Sequence, residues 1–182
     1  LKRGSAPTID LIRLEKELYN FLQEVIYGSF MQEQVKPDAR RISDIALSGN
    51  GEPTSAKEFK QVIDIVGKIK LSFDSLKDLK VVLITNGSLI DRENVQAGLR
   101  RLAEINGEVW FKLDSVIRER RQQINNTRMS SRQVCSNLKL SASLCPTWIQ
   151  TCVFKTDGNP PTRVETKAYL GFVEKLLQEG TL

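Results

Sequence analysis

The chain has 182 residues and a mass of 20.6 kDa, the size of one domain or the larger part of one. Its 40% hydrophobic and 27% charged residues allow a real core, and no apolar run is long enough for a membrane-spanning helix. It contains no histidine, which excludes His general bases, Ser-His-Asp and Cys-His catalysis and His-ligated metals, while 27 basic against 22 acidic residues (net +5) favour an anionic partner.

The periodicity predicts a helix from near Thr8, with Leu11, Leu14, Leu18, Phe21, Leu22 and Val25 on one face. A polar stretch, Met31 to Arg41, leads to a short strand, Ile42 to Ser48, ended by Gly49. Ser55-Ala-Lys-Glu58 reads as a capping box opening a helix that buries Phe59, Val62, Ile63, Val66 and Ile69. Lys80 to Thr85 is the second strand, and its unbroken Val81-Val-Leu-Ile84 run suits cover on both faces. A helix from near Asp91 carries Val95, Leu99 and Leu102, and Val109 to Leu113 is the third strand.

A polar, Arg-rich connection then runs from Ser115 to Arg132, followed by a weak helical pattern at Val134 and Leu138. Thr147 to Phe154 is the fourth strand, Asp157 to Pro161 a loop, and Thr162-Arg-Val-Glu165 a second capping box. The helix it opens carries Val164, Ala168, Phe172, Val173 and Leu176, with Gly180 at its C′ position. Strands alternating with helices imply an α/β fold with parallel crossovers. The opening helix has no strand before it and the closing one none after it, the pattern expected of the middle of a larger α/β barrel or sheet. The chain is expected to be one incomplete domain over residues 1–182. Leu1-Lys-Arg-Gly4, without an initiator Met or a signal-peptide core, reads as a cut or processed end.

Each strand ends in polar residues: Gly49-Asn50-Gly51-Glu52-Pro53, Thr85-Asn86-Gly87, Lys112-Leu-Asp114 and Gln150-Thr151-Cys152. Ligands of α/β proteins bind at the carboxyl ends of parallel strands, so four such endings describe one rim and one site. The first is a poor phosphate loop, because Glu52 brings negative charge and Pro53 removes an amide N–H. A carboxylate set between Gly and Pro suits a cationic group such as an ammonium, and the glycines let backbone approach it.

The set of strand ends resembles a family. Ser48-Gly-Asn-Gly-Glu-Pro-Thr54 is similar to the Gly-Glu-Pro element of radical S-adenosylmethionine enzymes. Leu83-Ile-Thr-Asn-Gly-Ser88, Trp110-Phe-Lys-Leu-Asp114, Ile149-Gln-Thr-Cys152 and Asp157-Gly-Asn-Pro-Pro161 follow at similar spacing. The resemblance covers nearly the whole chain and lies closest to the iron–sulfur oxidoreductase branch that includes wyosine-type tRNA-modifying enzymes. It implies a partial (β/α)₆ TIM-like barrel of which about four parallel strands are present and the first is missing. It also implies that Gly49, Asn50, Gly51, Glu52 and Pro53 receive the methionine ammonium of S-adenosylmethionine, with Thr85 and Asn86 near its carboxylate or ribose. Lys112, Asp114 and Gln150 would line the ribose and substrate side.

The family's chemistry uses a 4Fe-4S cluster held by a Cys-x₃-Cys-x₂-Cys loop, with a reductant such as ferredoxin or flavodoxin to split S-adenosylmethionine into a 5′-deoxyadenosyl radical. No such loop is present. Cys135, Cys145 and Cys152 are too sparse for a cluster or a disulfide framework, and read as small semi-buried residues of a cytoplasmic protein. The cluster ligands are therefore expected upstream of Leu1, and the chain alone is expected to be inactive; a paralogue that has lost the cluster is the other explanation. Without the missing strand, Ile42 to Ser48 would present an open sheet edge, covered by another segment or by a second copy. RNA as the substrate is what the resemblance implies, and the connection from Lys112 to Arg132, with six basic residues against two acidic, agrees with it as a basic loop that could hold phosphates; a solvated loop is the other reading. The rival functions are a non-catalytic interaction domain on the same barrel and a basic RNA-binding module. Trp110 and Trp148 are expected in the core.

Overall fold

The computed structural model describes residues 7–49 and 51–181. Helix α1 (Leu11–Tyr27) is capped by the Asp10 carboxylate, which accepts from the Arg13 N–H, and a short α2 (Phe30–Gln34) follows. Four parallel strands then alternate with helices: β1 (Asp44–Leu47), α3 (Phe59–Leu71), β2 (Lys80–Thr85), α4 (Glu93–Glu104) and β3 (Gly107–Lys112). Two helices, α5 (Arg118–Asn125) and α6 (Ser131–Leu144), precede β4 (Thr147–Gln150), and α7 (Arg163–Gln178) closes the described chain. The strands pair in sequence order, β1-β2-β3-β4, all parallel. The chain is thus an α/β protein with a four-stranded parallel sheet flanked by helices.

The sheet has two unlike faces, and the period of two along each strand separates them. Ile45 and Leu47 of β1, Val81 and Leu83 of β2, Val109 and Phe111 of β3 and Ile149 of β4 share one hydrophobic cluster with Phe59, Ile63 and Val66 of α3. Val95, Leu99 and Leu102 of α4, Val134 and Leu138 of α6 and Leu176 of α7 belong to the same cluster. The main helices therefore cover the same side, and α1 joins through Leu18 and through Leu22, which clusters with Phe73 beyond α3. The alternate residues, among them Ala46, Ile84, Trp110 and Trp148, belong to neither cluster. The second face is only partly covered: Val82 is buried, but Trp148 is 62% exposed.

The structure corrects several boundaries. Ser55-Ala-Lys-Glu58 is no capping box: Ser55 Oγ donates to the Glu52 carbonyl in a tight turn, and α3 begins only at Phe59. The Thr162/Glu165 box forms as expected, and a third, Ser130/Gln133, opens α6. The Arg-rich connection contains α5, whose polar sequence has no apolar stripe to announce it. β4 stops at Gln150, four residues short of Phe154, because past Leu113 β3 provides no further strand pairing. Trp148 is not in the core, and Phe21 and Val164 are exposed on their helices. No helix of the described residues is long and apolar enough to cross a membrane.

Candidate functional site at the carboxyl ends of the strands

Because all four strands run in one direction, their polar endings reach one rim of the sheet. Adjacent strands lie ~4.8 Å apart, so the endings of β1 and β4 are separated by roughly 14 Å along it. Asn50 falls outside the described residues. The other expected site residues sort into three groups.

The first group joins β1 to β2. Pro53 starts a single 3₁₀ turn, Pro53–Ser55, that folds the chain so that Glu52 faces the next strand. One carboxylate oxygen of Glu52 accepts from the Thr54 hydroxyl (2.6 Å), the Thr85 hydroxyl (2.5 Å) and, more distantly, the Thr54 N–H (3.3 Å). The other accepts from the Asn86 N–H (2.8 Å). Thr54 and Thr85 are each 1% exposed, so these bonds are shielded from water. Thr85 in turn accepts from the Gly87 N–H, and the Asn86 side chain from the Ser88 N–H. Gly87 has φ +71°, and a Cβ there would lie 2.1 Å from the Phe111 ring; the turn after β2 thus requires glycine. The Gly87 carbonyl accepts from buried Asn137 of α6.

A pocket of ≈ 380 Å³ opens beside this group, lined by Gly49, Gly51, Glu52 and Pro53, with Pro7 and Ile9 before α1 and Phe59 of α3 opposite. Its volume lies in the range that holds small molecules, ~300–1,000 Å³. Gly49 and Gly51 have open space where a side chain would stand, so their backbone is accessible from the pocket.

The second group is Asp114, whose side chain is 2% exposed. It accepts from the Cys152 N–H (2.9 Å) and from Asn125 Nδ2 (2.5 Å), tying the ends of β3 and β4 to α5. Asp114 also lines a separate pocket of ≈ 170 Å³ with Ile124, Phe154 and Tyr169. Arg120 and Glu165 border that pocket as an ion pair (3.0 Å), and Arg120 also reaches the Thr156 hydroxyl. The Thr162 backbone N–H, with its hydroxyl and then Arg120, holds the Glu165 carboxyl below the usual carboxylate range.

Lys112 and Gln150 form the third group. They are register partners on the less covered face, and the Lys112 ammonium stands 3.9 Å from Asp114. The expected residues therefore share a rim but not one cavity: Glu52 and its neighbours open on one pocket, Asp114 on another, and Thr85 is buried between.

Other side chains shape the rim without a signal that spacing could reveal. Thr54 and Asn125 supply the donors that fix the two carboxylates. Arg121 is 3% exposed and donates to the carbonyls of Ser115, Val116 and Met129, and burial pushes its pKa down. Two of the six basic residues of the Arg-rich connection, Arg120 and Arg121, are thus engaged inside the protein. Cys145, before β4, is buried against the Gly107 carbonyl, and desolvation pushes its thiol up to about 12, while Cys152 is exposed at the opposite end of the strand. Among the described residues no three His, Cys, Asp or Glu side chains are grouped to hold a metal ion. No family model, curated protein or solved structure matches the chain.

Proposed function

We propose that the carboxyl rim binds S-adenosylmethionine, with the amino-acid end in the pocket beside Glu52, and that the sheet is part of a (β/α)₆ barrel of the radical S-adenosylmethionine kind. The observation that carries this reading is an anchored carboxylate at the mouth of a pocket of small-molecule size, flanked by two glycines with unobstructed backbone. Glu52 Oε2 accepts one protein hydrogen bond and keeps a lone pair for an ammonium. Gly49 and Gly51 line the same pocket with no side chain to obstruct the group. Parallel strands in sequence order, with the main helices on one face, are the arrangement such a barrel needs.

Bound S-adenosylmethionine would supply a sulfonium bond for reductive cleavage. A 4Fe-4S cluster does not fit the cysteines of this chain: Cys145 is buried before β4, Cys152 is exposed beyond it, and Cys135 lies on α6. Cluster ligands, a ferredoxin- or flavodoxin-type reductant and RNA as the modified substrate belong to the proposal for the whole protein. Four exposed cations of the Arg-rich connection, Lys112, Arg118, Arg128 and Arg132, are the ones suited to meet a phosphate backbone. The open edge of β1 is the proposed site of cover by a further strand or by a second copy.

Calorimetry with S-adenosylmethionine tests the binding step. Loss of the charge-assisted contact in Glu52→Ala should weaken binding by about 1.5–3 kcal/mol, roughly 10- to 100-fold. Gly51→Val is the companion variant: its side chain enters open pocket space, so the fold stays intact while the ligand is blocked. Unchanged affinity in both variants, or no binding to the parent, refutes the reading. A second reading, a non-catalytic interaction domain, is favoured by one observation: the Glu52 carboxylate joins its own turn to Thr85 and Asn86 after β2 through four hydrogen bonds, as a structural clip would. That reading expects no S-adenosylmethionine affinity and no 5′-deoxyadenosine from the complete protein under strong reductant.

A further inference from the structure

The less covered sheet face carries two tryptophans, with one lysine nearer the rim. Trp110 of β3 and Trp148 of β4 are register partners. Both indole N–H groups donate to Glu108, at 2.9 Å and 3.3 Å, and Lys80 stands 3.5 Å from the same carboxylate. One acidic group thus orients two indoles, and Lys80 neutralises it. Trp148 is nevertheless 62% exposed. A lone exposed apolar residue is ordinary. Here two tryptophans lie on neighbouring strands, each held by its polar handle, and Trp148 is the exposed one.

Two residues further along the same strands, ~6.7 Å nearer the rim, stand Lys112 and Gln150. The carboxylate nearest Lys112, Asp114, is 3.9 Å away and already accepts from Asn125 and the Cys152 amide. Lys112 therefore presents a weakly paired positive charge on the same face, two residues beyond Trp110 and beside an amide that can donate or accept. A cationic ligand would meet Lys112 and a neutralised Glu108; an anionic one finds a complementary charge.

We propose that this face binds a planar aromatic ring carrying an anionic group, with the ring on Trp148, the anion on Lys112 and Gln150 hydrogen-bonded between them. The proposal rests on the preceding functional reading only in taking Lys112 and Gln150 as ligand-facing. Trp110 and Trp148 are the chain's two tryptophans, so its intrinsic indole fluorescence comes from this face. Adenosine 5′-monophosphate and indole-3-acetate serve as probes, since phosphate and carboxylate could each supply the anion. Adenosine and indole lack the charge; ribose 5-phosphate and acetate lack the ring.

The expected result is saturable quenching or a wavelength shift with at least one ring-bearing anion, at least about tenfold tighter than its uncharged counterpart. Lys112→Gln should remove that advantage, and Trp148→Leu, an exposed position that the fold does not need, should abolish binding seen by calorimetry. Equal affinity for charged and uncharged rings, no saturable change with either probe, or a protomer pair in light scattering that is lost in Trp148→Leu each overturns the proposal; the last would mean that a second copy covers the face. S-adenosylmethionine binding is read separately through Gly51→Val. No binding to the parent, or binding unchanged in Gly51→Val, with intact quenching fails the cofactor reading alone; S-adenosylmethionine binding that Gly51→Val blocks, without saturable quenching by either ring-bearing anion, fails the aromatic face alone.

Discussion

Replacing Glu52 by alanine should destabilise the fold as well as remove the proposed ligand contact. The wild-type carboxylate accepts hydrogen bonds from Thr54 N–H, Thr54 Oγ1, Thr85 Oγ1 and Asn86 N–H. In Glu52→Ala the two hydroxyls, on residues 1% exposed, keep their protons with no acceptor and no water to replace it. Asn86 is half-buried, and its amide can recover a partner from solvent. Each stranded buried donor costs about 1–3 kcal/mol, so the variant should lose roughly 2–6 kcal/mol. With a urea m-value of about 2 kcal/mol/M, that moves the unfolding midpoint down by roughly 1–3 M at constant slope. Adding Thr85→Val removes one stranded donor, so the double variant should be less destabilised than the sum of the two single changes by about 1–2 kcal/mol. A Glu52→Ala midpoint within experimental scatter of the parent, or strict additivity with Thr85→Val, would refute the view that this carboxylate clips β1 to β2.

The remaining expectations concern single groups. A thiol reagent at pH 8 should modify exposed Cys152 first and spare Cys145 until the protein unfolds, because burial holds that thiol protonated; equal native rates in peptide mapping would contradict this. Asp64 is slightly desolvated, but hydrogen bonds from Lys60 and Arg101 overcome this and lower its pKa from the ordinary 3.8. The native state thus binds that proton more weakly than the unfolded chain, and the contribution is present above 3.8 and lost as pH falls through the lowered value. The stability advantage of the parent over Asp64→Asn should accordingly shrink between pH 6 and pH 2.5, and an advantage that grows on acidification reverses the sign. Arg121→Ala should cost about 2–4 kcal/mol in chemical unfolding, since it leaves the Ser115, Val116 and Met129 carbonyls without their donor, whereas Arg118→Ala should stay within about 0.5 kcal/mol of the parent.

The alternation of strands and helices was legible because both periods are strong here. Val81 to Ile84 could only be an inner strand, and the apolar spacing of Phe59 to Ile69 could only be a helix packed on one side. Polar helices were not legible in the same way. α5 is held by Arg121 reaching backbone carbonyls across a loop, an interaction invisible to any pattern of apolar residues. The rim residues were recognisable as a set, since each follows a strand, but their division was not. Whether a carboxylate faces a cavity or a neighbouring hydroxyl depends on the turn that carries it, and Pro53–Ser55 turns Glu52 toward Thr85. Trp148 misled because an aromatic residue in a strand is ordinarily buried; only the register with Trp110 and Glu108 shows the ring lying on the less covered side.

The sequential strand order has a mechanical consequence. β2 and β3 each have a hydrogen-bonded neighbour on both sides, whereas β1 and β4 each have one among the described residues. Breathing motions of the sheet should therefore start at its margins and die out toward the middle, with backbone amides of β1 and β4 exchanging with deuterium before those of β2 and β3. Glu52 hangs from a marginal strand and is moored to Thr85 and Asn86 on a central one. That mooring lends the loose border the stiffness of the interior, so the entrance to the neighbouring pocket keeps its shape while the border itself frays.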